Sequence, residues 1–167
     1  VAQFLTVRID DVLVNSGVIT GDQLPQALAY QKQHRGVRLG AALIEMGFIT
    51  ERQMLNVLAH SMNLRTVDVD EEHVDVNAVR KLPRQISEKY NILGMRFEDG
   101  CLLVALNDPM NFYGIEDVHQ AVGMELNIVL CEQAPLRRAI QFYYAEVAAR
   151  EAAETANSQV EELAELD

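Results

Sequence analysis

The stretch RIDDVLVNSGVITGDQLPQAL, beginning at Arg8, returns as RLGAALIEMGFITERQMLNVL at Arg38, so one short unit recurs at a period of 30 residues. Leu13 falls on Leu43, Gly17 on Gly47, and Ile19-Thr20 on Ile49-Thr50. Gln23 falls on Gln53, and Leu28-Ala29 on Leu58-Ala59. A unit this short cannot bury its apolar face alone, so two copies must pack together or against a third element. Two matched units also present two matched half-sites, which suits a ligand with two-fold symmetry of its own.

Each unit reads as a short helix, a glycine turn and a longer helix. In the second, Leu39, Ala42, Leu43 and Met46 fall at i, i+3, i+4 and i+7, one helical stripe. Gly47 stands where a helix end needs a positive φ. Thr50 with Gln53 predicts a capping box, and Met54, Val57 and Leu58 form the next stripe. The first unit repeats the pattern with Val12, Leu13, Gly17, Thr20 and Gln23, except that Pro25 falls in the opening turns of its second helix and threatens a hydrogen bond there.

Beyond Leu64 the pattern changes. Thr66 to Val69 alternates like a short strand, and Asn77 to Tyr90 holds one or two short helices around Pro83. Ile92 to Phe97 and Cys101 to Leu106 are apolar runs on either side of Glu98-Asp99-Gly100, a hairpin signal. Asn107-Asp108-Pro109 reads as a turn, Asn111 to Ala121 as a helix ended by Gly123, Glu125 to Leu130 as a strand, and Ala134 to Tyr144 as a helix. The expected fold class is α+β. A four-helix bundle of two helix-turn-helix repeats (1–64) precedes a small sub-domain (65–144) with a mixed or antiparallel sheet and helices on one face. Residues 145–167 turn to Ala and Glu, with Arg150 the sole basic residue, and predict an acidic linker, helical or disordered.

A net charge of −11 argues against a binder of DNA or RNA backbones, whose surfaces are basic. No apolar run approaches the roughly 20 residues that cross a bilayer, and the start has no signal-peptide pattern, so a cytoplasmic address is expected. Cys101 and Cys131 are not a CxxC pair and read as reduced, buried thiols. The sequence holds no G-x-x-x-x-G-K-[ST] loop, no G-x-S-x-G elbow and no H-E-x-x-H. His34, His60, His73 and His119 lack ligand spacing. Neither an enzyme nor a resident metal or cofactor is expected.

Arg8 and Arg38 each stand just before a helix start, where a guanidinium fork can clamp phosphate or stack on a base. Gly40 would let a ligand approach the backbone, with the leucines behind it making ring contacts. The competing reading is that Arg38 is a surface charge and the leucines plain core, as leucines at helical spacing usually are.

RLGAALIEMGFITERQMLNVLA, with its related copy thirty residues earlier, resembles the N-terminal domain of type II secretion and type IV pilus assembly ATPases. NILGMRFEDGCLLVALNDPMNF, with its LNDP turn, is similar to the second half of that domain, and the resemblance spans roughly Arg8 to Tyr144. It implies a non-catalytic regulatory or docking module that meets inner-membrane platform or accessory proteins and lies peripheral to that membrane through them. The downstream ATPase domain of the same polypeptide would be a further partner. The alternative it implies is a sensor that regulates the motor by binding cyclic di-GMP through the two motifs. Candidate contacts are then Arg8, Leu13, Gly17 and Gln31 in the first copy, and Arg38, Leu39, Gly40, Leu43, Gly47 and Leu58 in the second. This chain departs from the pattern at three places. Arg8-Ile9-Asp10 stands where RLG is expected, Ser61 stands where glutamine is expected, and Pro25 interrupts the first unit. Carboxylates beside a phosphate repel it by about 1 kcal/mol each even through water at close range. The departures favour docking, and the intact RLG at Arg38 favours sensing.

Overall fold

The structure, a computed structural model, describes residues 9–166. Four helices come first: α1 (Ile9–Asn15), α2 (Gln23–Gln33), α3 (Leu39–Glu45) and α4 (Glu51–Met62). The short helices and their glycine turns repeat residue for residue, and the long helices differ at their starts. Gly17 and Gly47 end the short helices at φ +78° and +76°, a conformation open to glycine at no steric cost. At Thr50 the capping box is complete: the Gln53 N–H donates to Oγ1 at 3.1 Å and the Thr50 N–H donates to Gln53 Oε1 at 2.9 Å. At Thr20 the box is half made. Its N–H donates to Gln23 Oε1 at 2.9 Å, but the Gln23 N–H turns to the Thr20 carbonyl at 3.1 Å. Helix α2 therefore starts two residues later relative to the repeat, at Gln23 rather than at the counterpart of Glu51. Pro25 then lies in the first turn, where its missing N–H removes no intrahelical bond.

The units pack crosswise. Helix α1 lies on α4 and α2 on α3, with α1 also touching α3. Each short helix is thus covered by the long helix of the other copy.

The second half comprises β1 (Arg65–Thr66), α5 (Val76–Lys81), α6 (Arg84–Tyr90), β2 (Ile92–Glu98), β3 (Cys101–Leu106), α7 (Phe112–Val122), β4 (Leu126–Leu130) and α8 (Gln133–Glu165). The sheet order is β1-β4-β3-β2. Strands β1 and β3 run parallel to β4, and β2 runs antiparallel to β3, so the sheet is mixed. Asp99 and Gly100 close the hairpin, both at positive φ (52° and 76°), as a two-residue turn of that kind requires. Strand β1 is shorter than the Thr66–Val69 alternation suggests. Asp68 captures the next backbone groups, accepting from the Asp70 N–H at 3.1 Å on its side chain and from the Glu71 N–H at 3.0 Å on its carbonyl.

The sheet carries helices on both faces, not one. Leu102, Val104 and Leu106 of β3 join the core of the tandem repeats, which holds Leu13, Leu43 and Leu58, while α7 adds Val118 and Val122. Leu103 and Ala105 face the other way, into a cluster with Leu136, Ile140 and Tyr144 of α8. A strand buried on both sides reads as an unbroken apolar run, which CLLVAL is. Tyr144 anchors α8, its hydroxyl donating to the carbonyls of Leu82 at 2.6 Å and Val79 at 3.2 Å. Helix α8 continues without a break through the stretch rich in Ala and Glu, both good helix formers, and beyond Val147 every described residue is exposed.

Candidate functional site

Arg38 caps the N-terminus of α3 from an extended backbone (φ −76°, ψ 159°), which lifts its side chain off the helix into solvent. The segment before it is held by Gln31, whose Nε2 donates to the Val37 carbonyl at 2.9 Å. Two motif residues, one from each copy, are therefore joined through the chain between them. The guanidinium of Arg38 is ion-paired with Asp108 in the turn after β3. Around this pair lies a cleft of roughly 310 Å³ lined by Arg38, Lys89, Asn91, Asn107, Asp108 and Asn111 among others. It offers Lys89, a row of amides and the Arg38 guanidinium, which Asp108 already pairs, so an anion with hydrogen-bonding edges would have to exchange with that carboxylate.

The remaining candidate residues divide by burial. Leu13 and Leu43 are wholly buried at equivalent positions, and Leu58 is 2% exposed, so these three form the framework beneath the surface. Leu39 is half-buried, Gly17 and Gly47 are exposed turn residues, and Arg8 lies outside the described residues. Gly40 is buried: a Cβ there would come within 2.5 Å of Met54 Sδ and 3.5 Å of Ile9 Cδ1. A close helix contact thus accounts for the glycine, and Met54 and Ile9 lie over the backbone that a ligand would approach.

The two half-sites are not equal. Asp10, at the place of Gly40, is half-buried and accepts from the Asp11 N–H at 3.0 Å. Between α2 and α3 the Tyr30 hydroxyl donates to Glu45 at 2.7 Å, and that bond, above all, holds the phenol above its ordinary pKa of 10.0. The matching place between α1 and α4 has Asn15 and His60 instead. There a shallow depression opens, lined also by Val12, Val57 and Ser61. The contribution of Asp108 and Lys89 was not visible in the sequence as a site. The LNDP turn was read as a turn, and nothing marked Lys89. Among the described residues no group of His, Cys, Asp and Glu is arranged to hold a metal ion, and no helix is long and apolar enough to cross a membrane.

The model of the MshEN domain matches residues 62–150, more than half of the chain. The chain belongs to the MshEN domain family. A solved structure of MshE with cyclic di-GMP superimposes with a TM-score of 0.76 at 32% identity, covering 83% of this chain and 99% of that one. That coverage cannot be reached without part of the tandem repeats, which lie ahead of the family match. The type IV pilus assembly ATPase PilB of Myxococcus xanthus is 27% identical over 139 residues, 83% of this MshEN chain and 24% of PilB. Bacteriophage adsorption protein B of Escherichia coli K12 is 23% identical over 137 residues, 82% of this chain and 18% of that protein. The chain thus spans a quarter or less of the length of these relatives. The α+β fold expected from the sequence is that of the MshE domain.

Proposed function

We propose that this MshEN domain is a regulatory module that binds cyclic di-GMP on its tandem helical unit and passes the binding event to a pilus or secretion ATPase. The observation that carries the reading is the likeness, which reaches into the tandem repeats, to MshE in its cyclic di-GMP-bound structure. The crosswise packing of the copies supports it, because a two-fold symmetric dinucleotide matches two units that repeat each other. Arg38 is the leading contact: it is exposed, positioned through Gln31, and able to exchange Asp108 for a phosphate. Arg8, Gln31 and Leu39 complete the contact set, while Leu13, Leu43 and Leu58 shape the surface from beneath. Titration calorimetry with cyclic di-GMP tests this. Saturable binding at one dinucleotide per chain is expected, and no heat at millimolar dinucleotide overturns it.

A second reading, docking onto a platform or accessory protein without nucleotide, is favoured by particular residues. Asp10 occupies a glycine position, Ser61 replaces the counterpart of Gln31, and Met54 covers Gly40.

A further inference from the structure

We propose that the apolar groove where α4, α7 and β4 meet is a docking site for a basic amphipathic helix of a partner protein. The inference gives a place and a chemistry to the docking reading and does not depend on the dinucleotide. The groove has a volume of roughly 240 Å³, and its floor is formed by Met62, Leu64, Phe112, Ile115, Leu126 and Ile128. All six side chains are only partly buried, so together they leave a continuous apolar strip open to solvent. Small-molecule sites generally occupy about 300–1,000 Å³. A smaller open trough suits one or two anchoring side chains of a polypeptide, not a whole cofactor. Helix α7, with 11 residues, forms one wall about 16 Å long, which matches roughly three turns of a partner helix laid beside it.

The rim selects the charge of the occupant. Glu116 and Glu125 stand beside the groove with side chains 55% and 81% exposed, and among the described residues no lysine or arginine lines it. His119 sits between the two carboxylates, its Nε2 3.5 Å from Glu125 and its Nδ1 3.9 Å from Glu116. The net charge of −11 draws cationic partners toward the domain, and the rim carboxylates give such a partner its register. The occupant is therefore a helix with Leu, Ile or Phe anchors on one face and Lys or Arg beside them. Pro109 forms part of the same groove and follows Asp108, the partner of Arg38, so the groove and the arginine site share one turn.

The probe is a synthetic Leu/Lys amphipathic helical peptide of about 14 residues, some four turns, with a Leu/Glu isomer as control, added to the full chain labelled at isoleucine methyls. Binding of the Leu/Lys peptide with shifts of the Ile115 and Ile128 methyl signals is expected, with no binding of the isomer. Ile115→Glu should weaken it about ten-fold or more. Glu116→Lys with Glu125→Lys, two exposed changes that leave the core untouched, should weaken it similarly and admit the Leu/Glu isomer. Unmoved Ile115 and Ile128 signals, or equal affinity for the double variant, overturn the proposal, because the peptide would then be held by diffuse charge elsewhere. A concentration-dependent dimer that shifts the same methyls without peptide also overturns it, since a second copy would be the occupant. Calorimetry with cyclic di-GMP on the same sample keeps the two readings apart: silence there with peptide binding intact strikes the sensing reading alone.

Discussion

Arg38, the first residue of the second motif, is ion-paired with Asp108, in the turn that ends β3. A ligand that takes the guanidinium must therefore exchange with a carboxylate from the α+β half of the molecule. The proposed binding of a dinucleotide to the tandem unit would by that route be felt at the β3–α7 turn.

Replacing Arg38 separates binding from folding. The pair is exposed, 68% and 36% for the two side chains, and exposed ion pairs contribute about 0–1 kcal/mol. Arg38→Ala should then shift the melting temperature by no more than about 3 °C. The same change removes a charge-assisted contact and should weaken cyclic di-GMP binding by about 1–3 kcal/mol in calorimetry. In the parent protein, the amide signals of Asn107 and Met110 should move with that of Arg38 when the dinucleotide is added. Movement at Arg38 alone would break the coupling.

Leu13 and Leu43 test the repeat itself. Both are wholly buried and occupy the same place in their units. Each change to alanine should cost about 2–5 kcal/mol in denaturant unfolding. Leu28 and Leu58 hold matching places in the two copies and yet contrast, 44% and 2% exposed, with Leu58 alone of the two in the core shared with the α+β half. Leu58→Ala should cost as much as the other core changes, and Leu28→Ala less than about 1 kcal/mol. Equal losses for the two would mean that the copies sit in equivalent surroundings.

That contrast shows what a sequence of this kind displays and what it hides. The turns at Gly17 and Gly47, the Thr50 cap and the Asp99-Gly100 hairpin are local, set by a few adjacent residues, and all were legible. Burial of CLLVAL on both faces left a trace, since the run lacks alternation. Three features left none: the union of both halves in one core, the covering of Gly40 by Met54, and the pairing of Arg38 with Asp108. Each depends on groups brought together by the tertiary fold. The LNDP turn has a sufficient local explanation, so nothing in the chain announced that its aspartate reaches an arginine 70 positions earlier.

The end of α8 should be dispensable for stability. Val160, Leu163 and Leu166 are 65%, 66% and 78% exposed, and the last pairs to the body join Arg80 to Glu151 and Glu154 at 3.7 and 3.3 Å. Deleting Thr155 onward keeps those pairs and should leave the melting temperature within about 2 °C of the parent. A larger drop would reveal self-association through this helix, which sedimentation would register.

The two thiols should differ in reactivity. Burial above all, then Glu51 and Glu132, push the Cys131 thiol from 9.0 up to about 12, while Cys101 is half-buried. At pH 8 a disulfide reagent should label Cys101 and spare Cys131 in the native protein. Because the folded pKa is raised, the neutral thiol stabilises the fold below about pH 9, and this is lost as pH climbs toward 12. Labelling of both thiols at one rate at pH 8 would show that the α8 face opens.

Asp10→Gly is the most telling change for the sensing reading. Asp10 takes the place of Gly40 in the first motif, and its carboxylate accepts from the Asp11 N–H within α1. Glycine is poorer than aspartate in a helix by only about 0.3 kcal/mol, and the loss of a first-turn carboxylate adds about 0.3–1 kcal/mol, so the variant should be slightly less stable. For a dianionic ligand the balance reverses. Removing a carboxylate near phosphate relieves about 1 kcal/mol of repulsion, roughly a five-fold gain in affinity. That gain should shrink as salt rises, since the screening length falls from about 10 Å at 0.1 M to about 3 Å at 1 M. Stability and binding thus move in opposite directions, and general loosening of the fold cannot imitate that result. Tight binding by the parent with no change in the variant would place Asp10 away from the phosphates and remove the first copy from the site. Absence of binding by both proteins would leave docking as the function of the domain.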